Sequence, residues 1–99
     1  MAKEAVGLIE VYGFAPALLA ADTALKTADV ELAAIESTRG KPGSPGLVVF
    51  VKLRGSVDAI KAAVEAGANL ASQYTEVIAS HVIARPDKAL NSLVEFRNV

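Results

Sequence analysis

Residues 37–46, Ser-Thr-Arg-Gly-Lys-Pro-Gly-Ser-Pro-Gly, constrain the fold of this chain more than any other stretch. Three glycines and two prolines in ten residues break both helix and ladder, and no large apolar side chain offers itself for burial. Strongly apolar runs flank the segment, residues 30–35 before it and 47–53 after it. A polar, breaker-rich segment between two strand-like runs predicts a turn, and a long one by hairpin standards. It divides the chain into halves, each of which reads strand, helix, strand.

In the first half, residues 6–12 place Val6, Leu8, Glu10 and Tyr12 on one face and Gly7, Ile9 and Val11 on the other. Both faces are largely apolar, as in a central strand. Pro16 suits the first position of a helix, and Leu18, Ala21, Leu25 and Ala28 recur at helical spacing as its expected buried stripe. Asp22 and Lys26 form an i,i+4 pair of the favoured orientation. Residues 30–36 return as a second strand.

The second half repeats the order. Residues 47–54 alternate Leu47, Val49, Val51 and Leu53 against Val48, Phe50, Lys52 and Arg54. Ser56 is a good N-cap for a helix whose stripe is Val57, Ile60, Val64, Gly67, Ala68 and Ala71, with close backbone approach expected at Gly67. Residues 76–84 form a fourth strand. The tail, residues 87–99, has weak helical periodicity in Leu90, Leu93 and Val94, with Asp87 as its cap. The expected fold is α+β, a ferredoxin-like βαββαβ: a four-stranded antiparallel sheet with both main helices on one face and a short C-terminal helix. Residues 1–99 are expected to form a single domain, with a core at about 5–87 and a tail at 88–99.

Composition narrows the function classes. At 99 residues the chain has room for one core, and much of its 53% apolar content is alanine, which buries little area per residue. Surplus apolar surface on so small a domain points to subunit contacts, so an oligomer is expected. A net charge of −1 gives no electrostatic case for nucleic acid or anionic membrane. Cysteine is absent, which excludes disulfide frameworks and thiolate zinc sites and suits a reducing cytoplasm. No signal peptide and no membrane span are expected.

The residues of a catalytic centre are missing. The one histidine, His81, falls in the middle of the fourth strand with no sequence-adjacent partner to tune it or to complete a metal site. Glu10 and Glu36 read as solvated or paired carboxylates. Gly40-Lys41 is superficially similar to a phosphate-binding loop, but position 35 is Ile, Pro42 replaces the hydroxyl residue, and a strand follows instead of a helix. An RNA-recognition reading fails as well, since Tyr12 and Phe50 alone replace the several stacking aromatics it needs. No enzyme, no metal and no cofactor are expected.

Three segments resemble the single-domain bacterial microcompartment shell proteins. Residues 7–14, Gly-Leu-Ile-Glu-Val-Tyr-Gly-Phe, followed by Pro16-Ala17, Ala20-Ala21-Asp22 and Lys26, are similar to the opening of that family. Residues 55–63, Gly-Ser-Val-Asp-Ala-Ile-Lys-Ala-Ala, with Ala66-Gly67-Ala68, resemble its second helix, and Ser80-His81-Val82-Ile83-Ala84-Arg85-Pro86 its fourth strand. The resemblance spans roughly residues 5–87. It implies a non-enzymatic protein that forms homohexamers, tiles them into a cytoplasmic shell with other shell proteins, and admits small metabolites through a central pore. It further implies that Lys26 and Arg85 sit at the hexamer edge, and that the loop bearing Ser37, Thr38, Arg39, Gly40, Lys41, Pro42, Gly43 and Ser44 surrounds the six-fold axis. Typical members carry a shorter loop of the form Glu-Lys-Ile-Gly-Ser-Gly. With Arg39 and Lys41 on that loop, an anion-preferring or gated pore is expected. The alternative on the same topology is a trimeric PII-like or ACT-like cytoplasmic regulator that binds a small effector. An acyl-phosphate hydrolase is disfavoured because residues 13–17 hold no basic side chain.

Overall fold

A computed structural model describes residues 4–99. The elements follow the expected order: β1 (Ala5–Tyr12), α1 (Phe14–Thr27), β2 (Val30–Thr38), β3 (Val48–Gly55), α2 (Val57–Ala71) and β4 (Val77–Ile83). A 3₁₀ turn (Lys88–Leu90) and a single-turn α3 (Asn91–Val94) complete the chain. The strands lie in the order β2-β3-β1-β4 with antiparallel neighbours throughout. Each strand–helix–strand unit therefore steps over one strand of the other, the split βαβ arrangement.

Both long helices cover one face of the sheet. Its core is Ile9, Val11, Val49, Val51 and Leu53 from the strands, against Ile60, Ala63 and Val64 of α2 and the alanines of α1. Gly7 lets α2 lie directly on β1, since a Cβ there would come within 2.6 Å of Val64 Cγ2. Gly67 does the same between the helices: its Cβ would meet the Ala20 carbonyl oxygen at 2.8 Å. The close approach expected at Gly67 is thus present, with α1 as its partner. Ser56 accepts from the Ala59 N–H at 3.3 Å and caps α2, a contribution of about 1 kcal/mol.

Three expectations need correction. The buried stripe of α1 is Ala17, Ala20, Ala21 and Ala24, whereas Leu18 and Leu25 are 44% and 40% exposed. Helix α1 is rotated because only small side chains fit where its backbone approaches Gly67. The second strand runs on to Thr38, so Ser37 and Thr38 pair with Val49 and Val48 instead of opening the loop. Helix α1 also starts earlier, at Phe14, immediately after Gly13 turns the chain at φ 93°.

The tail lies across the opposite face of the sheet. Lys52 and Arg54 alternate with the helix-facing Val51 and Leu53, and both reach the tail. Asp87 caps its first turn by accepting from the Ala89 N–H at 2.8 Å. No described helix is long and apolar enough to cross a membrane.

Candidate functional site

The loop between β2 and β3, residues 39–47, is compactly built. Lys41-Pro42-Gly43-Ser44 closes a turn in which the Ser44 N–H donates to the Lys41 carbonyl at 2.9 Å. Pro42 pre-sets the first central residue and Gly43, at φ 88°, takes the left-handed second one, a type II arrangement. Gly40 packs against Ser44 so closely that any side chain there would collide with the hydroxyl. Arg39, Lys41, Pro42 and Gly43 are exposed at the tip. Ion pairs among the described residues are Lys26–Asp22, Lys52–Glu36 and Arg54–Glu95, so both loop cations are free of carboxylate partners there.

Both roots of the loop are fixed. On the β3 side the Gly13 N–H donates to the Leu47 carbonyl at 2.8 Å, tying the loop to the β1–α1 corner. On the β2 side the Asn98 side chain grips Ser37 twice. Its Oδ1 accepts from the Ser37 N–H at 2.9 Å, and its Nδ2 donates to the Ser37 carbonyl at 2.8 Å.

The register places the expected edge residues far from this loop. Thr38, Val48 and Tyr12 align at the loop end of the sheet, while Val30, Gly55 and Ala5 align at the other end. Lys26 sits in the last turn of α1, just before Val30, and Arg85 follows β4 just beyond Ile83, which pairs with Val6. Lys26 and Arg85 therefore share the end opposite the loop. Lys26 is 76% exposed and pairs with Asp22 at 3.0 Å; Arg85 is exposed.

Between the two ends, α1 and the edge strand β2 share an apolar groove lined by Phe14, Leu18, Leu32 and Ile35, with Arg97 and Val99 of the tail on its rim. Helix α1 presents Leu18 to this groove, leaves Leu19 and Leu25 exposed, and turns its alanines inward. Sequence reasoning placed Leu18 in the core, with Leu25, and so missed the groove. The signal was present in the run of alanines, which fits a tight helix contact better than leucine does.

Sequence reasoning also missed Lys52, Glu36 and Asn98 as a connected set. Lys52, 7% exposed, donates to Glu36 Oε1 at 2.6 Å and to the carbonyls of Leu93 at 2.8 Å and Phe96 at 3.1 Å. Its ammonium also stands 5.6 Å from the centroid of the Phe96 ring. A lysine in the middle of an apolar strand was the available signal. His81 lies exposed on β4 opposite Leu8. Glu10 and Glu36 both align with Phe50, one on each side of it. Among the described residues, no cluster of three or more histidine or carboxylate groups is placed to hold a metal.

Comparison with known proteins places the chain among its relatives. The family model for the BMC domain matches residues 5–86. The chain is 46% identical over 86 residues to the bacterial microcompartment shell protein PduA of Salmonella typhimurium, covering 87% of this chain and 85% of that protein. It is 37% identical over 95 residues to the carboxysome shell protein CsoS1C of Hydrogenovibrio crunogenus, covering 95% and 87%. It is also 39% identical over 88 residues to the shell protein PduK of Salmonella typhimurium, but spans only 52% of that longer protein. A microcompartment protein from Desulfitobacterium hafniense superposes with a TM-score of 0.73 at 26% identity, covering 93% of this chain and 47% of that one.

Proposed function

Because the chain belongs to the BMC-domain family, we propose that it is a structural, non-enzymatic component of a bacterial microcompartment shell in the cytoplasm. It assembles with itself and with other shell proteins. In finer detail, the chain forms cyclic homohexamers that tile edge to edge, with residues 39–47 lining an opening at the six-fold axis. The observation that carries this reading is the segregation of the loop and of Lys26 and Arg85 to opposite ends of the sheet. A subunit with its loop at an axis must hold its outer contacts at the far end. The apolar groove between α1 and β2 supplies the surface that neighbouring subunits would cover. Family membership sets aside the trimeric effector-binding regulator.

Negative-stain microscopy of the purified protein tests the assembly. Six-fold rings joined into sheets or tubes are expected; isolated trimers would overturn the reading. The charge of the opening follows from Arg39 and Lys41, which contribute two free cations per subunit around the axis and favour anions over cations and neutral aldehydes. Sheets reconstituted from the Arg39→Ala/Lys41→Ala variant should lose their anion preference. Unchanged conductance and ion preference would show that the loop does not set selectivity.

A further inference from the structure

Arg54 of β3 holds the start of the tail through Asn91 and Glu95, and two adjacent residues at the end of β2 hold the rest. Glu36 holds it through Lys52, whose ammonium caps the Leu93 and Phe96 carbonyls at the end of α3. Ser37, the next residue, holds it through the paired hydrogen bonds to Asn98. Ser37 aligns with Val49 of β3 but spends its own N–H and carbonyl on Asn98, so these groups face the free edge of the sheet. Arg39, the first residue of the loop, is two positions further on. The tail therefore grips the chain at the point where strand becomes loop.

The grip is polar and directional. Val94 is the one buried apolar residue of α3, while Leu93, Phe96 and Val99 are all exposed. A segment held by a few hydrogen bonds with little buried apolar area opens at low free energy. The two loop roots differ in this respect. The Leu47 root is tied to Gly13 at the corner of the main fold, and the Ser37 root, outside its pairing with β3, to the tail.

We propose that residues 91–98 form a detachable strap that fixes the β2 root of the loop, so that lifting the tail off the sheet loosens residues 38–47. The geometry makes this a one-sided hinge. When Asn98 leaves, the Ser37 N–H and carbonyl return to solvent and the edge of β2 frays, while Gly13 still holds Leu47. The strap stands on contacts within one chain. Its consequence for transport rests on the reading above that the loop lines an opening: whatever displaces the tail from the helix-free face would then change that opening.

Hydrogen exchange on the full chain, Asn98→Ala against the parent, tests the strap. Loss of two neutral hydrogen bonds should speed amide exchange across residues 38–47 by about tenfold. Amides of α2 should keep their parental rates. Removal of residues 96–99 should give the same pattern. Faster exchange confined to the tail, or a uniform rise that includes α2, would overturn the proposal, as would no change at all. Exchange is read on the loop whatever the assembly state, so a failed strap and a failed shell reading give separate signatures.

Discussion

The two faces of the sheet are closed in opposite ways. The helix face is apolar and tightly spaced, with Gly7 admitting the Val64 and Ile60 side chains and Gly67 the Ala20 backbone to distances that any larger side chain would prevent. The tail face is closed by Lys52, Arg54 and Asn98, each reaching a carbonyl, amide or carboxylate. Close packing of small groups gives a single rigid arrangement, since displacing it opens voids that nothing fills. A few directional contacts at the surface give an arrangement that can be undone and remade. The helix face supports the fold and the tail face is the adjustable one. This difference predicts a ranking of substitutions.

The largest loss should come from Gly67→Val. Its Cβ alone would stand 2.8 Å from the Ala20 carbonyl and 2.9 Å from Ile9 Cδ1, and the added methyls make the overlap worse. Helix α1 must then move off α2, at a cost of about 3 kcal/mol, visible as a lower denaturation midpoint with faster exchange in both helices. If Gly67→Val left the midpoint unchanged, the two faces would not differ in the way described.

Lys52→Met should rank second. It leaves Glu36 and two carbonyls without their shared cation, but Glu36 is partly exposed and water can recover it. The cost is therefore discounted to about 2 kcal/mol from the value for a fully buried pair. The loss should be local: the tail detaches, and the amides of α1 and α2 keep their protection. Collapse of the whole domain would mean that Lys52 supports the core, which would erase the distinction between the faces.

The same contrast explains what was legible in the sequence. Strand alternation at residues 6–12 and 47–54, the Ser56 cap and the glycine in α2 all act locally or through periodicity, and they specified the helix face and the topology. The phase of α1 misled because Leu18 and Leu25 are apolar at helical spacing, and hydrophobicity alone does not tell a buried leucine from an exposed one. The extension of β2 through Ser37 and Thr38 was hidden by their polarity, since edge pairing to Val49 and Val48 needs backbone groups only. The tail contacts span 37 to 61 positions in sequence and depend on single side chains, so no window of residues reveals them. Loop residues 39–44 were readable as a turn from Pro42 and Gly43, whereas the anchors at Gly13 and Asn98 were not.

The smallest effect on stability should come from Lys26→Ala, and that is what makes it informative. Lys26 projects from the end of α1 into solvent, paired only with Asp22 on its own helix. An exposed i,i+4 pair contributes about 0.3–0.5 kcal/mol, so the denaturation midpoint and the ring stoichiometry should hardly move. If Lys26 lies at the edge where rings meet, the variant should still form six-fold rings but fail to join them into sheets under the conditions that assemble the parent. Loss of the ring itself would place Lys26 within the ring contacts, and unchanged sheets would remove it from the assembly edge. A side chain this exposed, on the rigid face of the molecule, has almost no stability to lose. Any change in sheet formation must then be read as a contact between molecules.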